Sequence, residues 1–243
     1  MIQERARVRR LAQAYRKANA PLTPERLAKG IGVRFEIVPI PTDGMFDFDQ
    51  GRILLAEGQS PKRQRFTLAH EVMHYLIRHD EELLSDLHEE YQGDQFEQTL
   101  EALCNLGAAE MLLPSEDVKA VLEKKGLRAK HILDLAETHQ VSEEVAAIAL
   151  TGQAAYALAV IAGGRPLRVL FSSRGEFFPA RLAKNAEVPK DHALTLTLTT
   201  GLPFQGGAPL PGRPLAKQHP HRFLLEAYAK GGRVYGIYRA RPD

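Results

Sequence analysis

The spacing of apolar residues predicts helices through most of the first 150 residues. Capping residues and helix breakers mark where these helices begin and end, as with Thr23 before Pro24 and Ser60 before Pro61. Three segments alternate as strands do, and Asp49-Gln50-Gly51 is a hairpin turn signal between the last two. Helices are predicted over residues 4–18, 24–29, 61–77, 96–113 and 116–125, the last capped by Ser115, and two more lie within 129–150. Strands are predicted over 34–40, 44–48 and 52–56. Residues 80–94 form an acidic stretch with few apolar residues.

Residues 129–150 have the outline of a helix-turn-helix. His139-Gln140-Val141 is the turn, and Ser142 caps the second helix. A helix that reads DNA needs exposed Arg, Lys, Asn or Gln side chains. Here the second helix begins with Glu143 and Glu144 and is then apolar. We therefore expect a packing unit or a protein-contact element, with direct DNA binding unlikely.

The last third of the chain favours strands. Segments 156–161 and 167–172 read as strands around Gly163-Gly164, and 222–229 with 233–240 reads as a hairpin. Residues 192–200 fit a strand or a helix, and the Pro/Gly-rich residues 206–214 predict a loop. The fold class is therefore α+β, with predicted domains at 1–126, 127–152 and 153–243, the last a small α+β domain.

Composition limits the classes of function. The 243 residues carry a net charge of +2, so no large field attracts nucleic acid or a membrane. Cys104 is the single cysteine, which excludes an intrachain disulfide and fits a cytoplasmic protein. The N-terminal residues are charged and lack the apolar region of a signal peptide, and no apolar run is long enough to span a membrane.

Basic residues crowd the first predicted helix. Two interpretations stay open, a solvated helix face and a patch that attracts an acidic partner. The residues are Arg5, Arg7, Arg9, Arg10, Arg16 and Lys17.

The strongest chemical signal is His70-Glu71-Val72-Met73-His74, the H-E-x-x-H pattern of zinc hydrolases. Positions four apart lie on one helix face, so His70 and His74 can bind one metal ion. Glu71 projects about 100° round the helix, where it suits a general base better than a ligand. The motif lies inside an amphipathic helix, which is the context it requires, although hydrogen-bonded helix histidines are the simpler alternative.

A catalytic zinc normally has three protein ligands, and spacing does not choose the third. A second helix crossing the first is the usual source, which favours Glu97 or Glu101. The full set of candidates is His79, Asp80, His88, Asp94, Glu97, Glu101 and Glu110.

Several segments resemble the ImmA/IrrE family of metallopeptidases, in particular its IrrE (PprI) branch of radiation-response regulators. The match extends over about residues 44–114, and its most specific parts are Gln64–Glu71, Leu83–His88 and Leu103-Cys104-Asn105 with the run to Pro114. The broader family has Glu and Phe where this chain has Leu103 and Gly107, a departure that also occurs in the IrrE branch.

The resemblance implies a zincin-like domain, a helix-turn-helix-like linker and a GAF-like C-terminal domain. It also implies that Glu101 is the third ligand of a gluzincin-like endopeptidase. The implied substrate is a helix-turn-helix repressor of the DdrO type, whose cleavage induces the DNA-damage response. A GAF-like domain could bind a small-molecule signal, and dimerisation or substrate docking is equally open.

Other residues have two interpretations each. Cys104 is a fourth ligand or, more simply, a small buried hydrophobe, and His219-Pro220-His221 is a metal site or, better, a surface loop. Tyr91, Tyr75 and His88 are rival donors for an oxyanion.

The favoured hypothesis is a zinc-type endopeptidase with metal ligands His70, His74 and Glu101 and the base Glu71, in which Mn²⁺ or Fe²⁺ could replace Zn²⁺. An extended peptide substrate would pair with an edge strand, either 44–48 or 52–56. The alternative is a non-catalytic regulator that binds a protein or DNA.

Overall fold

The computed structural model describes residues 2–212 and 223–240. The backbone forms two compact units, Met1–Pro114 and Ser115–Asp243. The three-domain division with boundaries after residues 126 and 152 stays a prediction. Among the described residues, no helix combines the length and apolar character that crossing a bilayer requires.

The first unit packs five helices with a three-stranded sheet. The strand order is β1-β3-β2, with β1 parallel and β2 antiparallel to the central β3. The elements are α1 (Ile2–Asn19), α2 (Pro24–Lys29), β1 (Arg34–Val38), β2 (Gly44–Asp47), β3 (Arg52–Ala56), α3 (Pro61–Arg78), α4 (Glu81–Glu90) and α5 (Asp94–Leu112). The acidic stretch therefore contains a helix, α4, which Asp80 caps by accepting a hydrogen bond from the Leu83 amide.

Helix α3 forms as its sequence predicts. The Ser60 hydroxyl accepts from the Arg63 amide, and Pro61 occupies the first turn. One face, which includes Leu68, Ala69 and Val72, is fully buried. The opposite stripe carries the two histidines of the motif, so burial of the apolar face fixes the direction in which they point.

Helix α1 is tied to the rest of its unit by arginines. Arg7 binds both carboxylate oxygens of Asp80, at 2.8 and 2.5 Å, and Arg9 binds Glu110 at 2.6 Å. Arg16 donates to the carbonyl oxygen of Met111 at 2.8 Å. These three side chains bind groups of the same unit. Neither a solvated helix face nor a patch for an acidic partner therefore describes them.

The second unit packs helices against a five-stranded antiparallel sheet of order β5-β4-β8-β7-β6. Its elements are α6 (Ser115–Lys125), α7 (Lys130–Thr138), α8 (Glu143–Gln153), β4 (Ala157–Gly163), β5 (Arg168–Arg174), α9 (Ala193–Thr200), β6 (Phe204–Gly207), β7 (Phe223–Lys230) and β8 (Arg233–Ala240). The mixed α+β class is confirmed, whereas the helix-turn-helix and GAF-like assignments stay predictions.

In this unit the structure settles one open prediction and corrects another. Residues 193–200 form a helix, because His192 caps it through a hydrogen bond from the Leu194 amide to Nδ1. The loop predicted over 206–214 is wrong at its start, since Gly206 and Gly207 pair with Leu225 and Leu224. Part of that loop and Arg222 lie outside the described residues.

Helices α3 and α5 approach closely at Gly107. A Cβ atom at this position would lie 2.5 Å from Cε, 2.8 Å from Sδ and 2.9 Å from Cγ of Met73, which is fully buried. Glycine therefore permits the close helix contact, because the space of its missing side chain is already filled.

We expect Gly107→Ala to lower the free energy of unfolding by about 1–3 kcal/mol, the usual cost of overpacking a filled core. Gly152 in α8 is the matched control, since a Cβ there meets no atom within 4 Å. Gly152→Ala should instead raise the free energy of unfolding by up to about 1 kcal/mol. Urea unfolding of the two variants measures both values, and a stabilised Gly107→Ala would contradict this helix contact.

Candidate metal centre

Three ligand atoms from two helices converge in the first unit. The Nε2 atoms of His70 and His74 lie 3.1 Å apart. The carboxylate of Glu101, on α5, lies 3.3 Å from Nε2 of His70 and 3.1 Å from Nε2 of His74. Among the described residues, these three form the group of side chains that could hold a metal ion.

The spacing of these atoms fits a tetrahedral ion. Ligand atoms at about 2.0–2.1 Å from a zinc ion stand about 3.3 Å from one another. Two imidazole nitrogens and a carboxylate suit Zn²⁺, and also Mn²⁺ or Fe²⁺. Burial lowers the pKa of both His70 and His74, which favours the neutral form of the rings that a metal requires.

Glu71 lies beside the cluster and is buried, with 8% of its surface exposed. Burial first, and then the negative charge of Glu101, raises the pKa of Glu71 to about 7. A bound cation would oppose that shift, because it favours the charged carboxylate. The position suits a group that accepts a proton near neutral pH.

The cluster opens into a cavity of about 490 Å³ between α3, α5 and β2. Strand β2 is an edge of its sheet, whereas Arg52–Ala56 is the central strand. Of the two predicted edge segments, 52–56 is therefore wrong, and the segment at 44–48 forms β2 over Gly44–Asp47.

Strand β2 lies alongside α3 and runs in the same direction. A Cβ at Gly44 would lie 2.5 Å from Cγ2 of Thr67 and 3.3 Å from Oε1 of Glu71, so glycine lets the strand approach the helix. Phe46 stacks on Tyr75 with ring centroids 5.8 Å apart. The strand therefore borders the cavity along the same helix turns that carry the motif.

Comparison with known proteins assigns the family. The model of the IrrE N-terminal-like domain (Peptidase_M78) matches residues 26–151. This chain belongs to the IrrE-like metallopeptidase family. The resemblance seen in the sequence is confirmed.

Two relatives carry the name radiation response metalloprotease IrrE. The Deinococcus deserti protein is 35% identical over 86% of this chain and 80% of its own length. The Deinococcus radiodurans protein is 34% identical over 95% of this chain and 76% of its own length. A solved structure of a Mycobacterium tuberculosis transcriptional regulator matches with a TM-score of 0.58 at 14% identity, over 95% of this chain and 76% of that one, which is a likeness of fold.

The three proposed oxyanion donors do not line the described cavity of this IrrE-like domain. Tyr75 stacks between Phe46 and His79, His88 stacks on Phe96, and the Tyr91 hydroxyl donates to Glu90. Their positions give no support to an oxyanion role.

Asn105 lines the cavity and was not identified from the sequence. Its side chain forms a hydrogen bond with His70. Such a partner fixes the orientation of a ligand ring. The signal that would have found it is the spacing of four residues from Glu101, which puts both on one face of α5.

The other candidate ligands have different surroundings. Asp80 and Glu110 bind arginines of α1. Cys104 is fully buried and lies outside the three-residue cluster, and burial strongly raises the pKa of its thiol. These features favour the buried-hydrophobe interpretation. His219-Pro220-His221 lies outside the described residues.

We expect Glu101→Ala to weaken binding of Zn²⁺ or Mn²⁺ by about 100-fold or more, because even the loss of a residue that only orients a ligand costs about 10–100-fold. Glu97→Ala is the matched control, since this exposed carboxylate lies one turn earlier on α5. Isothermal titration with a competing chelator measures the affinity. Equal losses in the two variants would contradict the assignment of Glu101.

Proposed function

We propose that this protein is a metal-dependent endopeptidase of the zinc type, in which His70, His74 and Glu101 hold the cation. Mn²⁺ or Fe²⁺ could take the place of Zn²⁺. The observation that carries the proposal is the convergence of the three ligand atoms, at 3.1–3.3 Å from one another, beside the buried Glu71. Membership of a metallopeptidase family supports it independently.

Glu71 is the proposed general base. When bound, the cation polarises the scissile carbonyl and lowers the pKa of water toward about 7. Glu71 accepts the proton of the attacking water and passes it to the leaving nitrogen. Its burial beside α5 limits the access of bulk water to the carboxylate, and the hydrogen bond between His70 and Asn105 orients the His70 ring.

The substrate is proposed to be an extended segment of a protein. Strand β2 is an edge strand, so its outer backbone groups can pair with such a segment. Gly44, Met45 and Phe46 line the cavity, which places the paired segment next to the three ligand atoms.

By resemblance to the radiation-response relatives, the protein substrate is proposed to be a helix-turn-helix transcriptional repressor of the DdrO type. Its cleavage would induce DNA-repair genes, and a DNA-bound repressor places the reaction in the cytoplasm. Direct DNA binding by this chain is disfavoured, since α8 begins with Glu143 and Glu144, the first of which pairs with Arg233. Residues 153–243 are proposed to be a GAF-like domain that receives a small-molecule signal, dimerises or docks the substrate.

We expect Glu71→Gln to lower kcat by about 10²–10⁴-fold while metal affinity stays near that of the wild type, since Gln keeps the shape and loses the basic oxygen. Glu89→Gln, an exposed change on α4, is the control and should keep full activity. Steady-state peptide cleavage and metal titration give the two values. Full activity in Glu71→Gln would refute the mechanism.

The repressor proposal is tested with purified candidate repressor. Incubation with Zn²⁺ or Mn²⁺ should cut one peptide bond, and chelator should abolish the cleavage. Gel analysis and mass spectrometry identify the products. Binding without cleavage under every metal condition would favour the non-catalytic regulator, and tight duplex DNA binding with a steep salt dependence would favour a DNA-binding protein.

A further inference from the structure

Two arginines line the cavity, and only one of them forms an ion pair with a described carboxylate. Arg63 and Arg78 lie at opposite ends of the α3 face that borders it. The Arg63 guanidinium forms an ion pair with Asp43, and this contact lowers the pKa of the Asp43 carboxyl. Among the described residues, no carboxylate pairs with Arg78. Arg78 is therefore the cavity cation that remains available to a bound molecule.

The Arg78 side chain is held in place by an aromatic ring. Its Cζ atom lies 4.5 Å from the ring centroid of Phe48, which is 49% exposed. The Phe48 ring stacks in turn on Phe46, with centroids 4.3 Å apart. A guanidinium that is already stacked loses less conformational freedom when it binds a carboxylate, and its planar fork matches that group.

The distance of Arg78 from the proposed metal ligand His74 indicates how far from the scissile bond a substrate residue at Arg78 would lie. It follows His74 by one turn of α3, about 6 Å along the helix axis. An extended peptide advances about 3.3 Å per residue. A substrate side chain that reaches Arg78 therefore belongs to a residue about two positions from the bond that is cut.

The direction of β2 indicates whether the substrate residue at Arg78 lies N-terminal or C-terminal to the scissile bond. Gly44 lies against Glu71, Phe46 against Tyr75 and Phe48 beneath Arg78. Antiparallel pairing is the more stable arrangement for a peptide that joins an edge strand. A peptide antiparallel to β2 has its N-terminal part at Phe48 and Arg78.

We propose that Arg78 is a specificity-determining residue that binds an Asp or Glu side chain of the substrate, two or three residues N-terminal to the scissile bond. This inference rests on the proposed peptidase function. An arginine at a helix C-terminus also stabilises the helix dipole. That role would change the stability of the protein and would leave the preference among substrates unchanged.

The test uses the full-length protein with Zn²⁺ or Mn²⁺ and a peptide library made by chymotryptic digestion of a bacterial proteome, since these peptides keep internal acidic and basic residues. Mass spectrometry of the products gives residue frequencies around each cleaved bond. We expect Asp and Glu to be enriched at the second or third position N-terminal to the cut. Arg78→Gln should remove this enrichment, and Arg78→Glu should replace it with Lys and Arg. Arg10→Gln, an exposed change on α1, is the matched control and should keep the wild-type profile.

A second readout separates binding from turnover. For one cleaved peptide and its Glu-to-Gln counterpart, the wild type should show a KM about fivefold lower for the Glu peptide, with similar kcat. The difference should shrink at high salt and disappear in Arg78→Gln. Fluorescence anisotropy with the Glu71→Gln variant should show the same preference in Kd.

The outcomes separate the two proposals. A wild type that cleaves no peptide or repressor with either metal would overturn the peptidase proposal and this inference with it. An active wild type without the acidic preference, or with a preference only C-terminal to the cut, would overturn this inference alone. Loss of the preference in Arg10→Gln would also overturn it.

Discussion

The close packing of α3 against α5 brings Glu101 to His70 and His74, the three proposed metal ligands. His70 and His74 are fixed relative to each other by one helix turn, but Glu101 reaches them from a separate helix. Gly107 on α5 leaves its side-chain volume to Met73 of α3, and this contact sets the separation of the two helices. A larger residue there would push the helices apart, and an ion held at about 2.0–2.1 Å tolerates little displacement of its ligands.

Charge pairs also fix α5 against α1. Glu110 is 3% exposed, and a buried carboxylate without a partner would be costly. Arg9 and Gln13 of α1 both bind it, and Arg16 binds the backbone near the end of α5. The basic character of α1 therefore serves the packing of the helix that carries Glu101. An apolar contact with Met73 and a polar contact with α1 restrain the same helix.

The sequence was most informative where the chemistry is local. His70, Glu71 and His74 lie within five residues of one helix, so spacing alone placed them together. Glu101 could not be separated from Glu97 by spacing, since the choice depends on how two distant helices cross, and only the family resemblance favoured it. Asn105 was missed for the same reason, although its spacing from Glu101 would have found it once Glu101 was chosen.

Strand order was the main feature that local patterns could not give. The local pattern allowed either segment 44–48 or segment 52–56 to lie at the edge of the sheet. The parallel pairing of β1 with β3 makes 52–56 the central strand and leaves β2 at the edge. Charge concealed α4, whose apolar residues Leu83 and Leu87 lie one turn apart and are buried. Glycine content concealed β6, where pairing with β7 outweighs a weak intrinsic strand preference.

The alternation of β2 joins the chemistry of the site to its specificity. Residues 44 and 46 lie on one face of the strand, since side chains alternate with a period of two, and Phe48 in the turn that follows stacks on Phe46. They meet Glu71, Tyr75 and Arg78 in order along α3. The register of β2 against β3, in which Phe46 lies opposite Ile53, holds this alignment. A slip of one residue would turn the aromatic face away from α3. Because the three proposed ligand residues come from α3 and α5, such a slip would alter what the cavity binds without moving them.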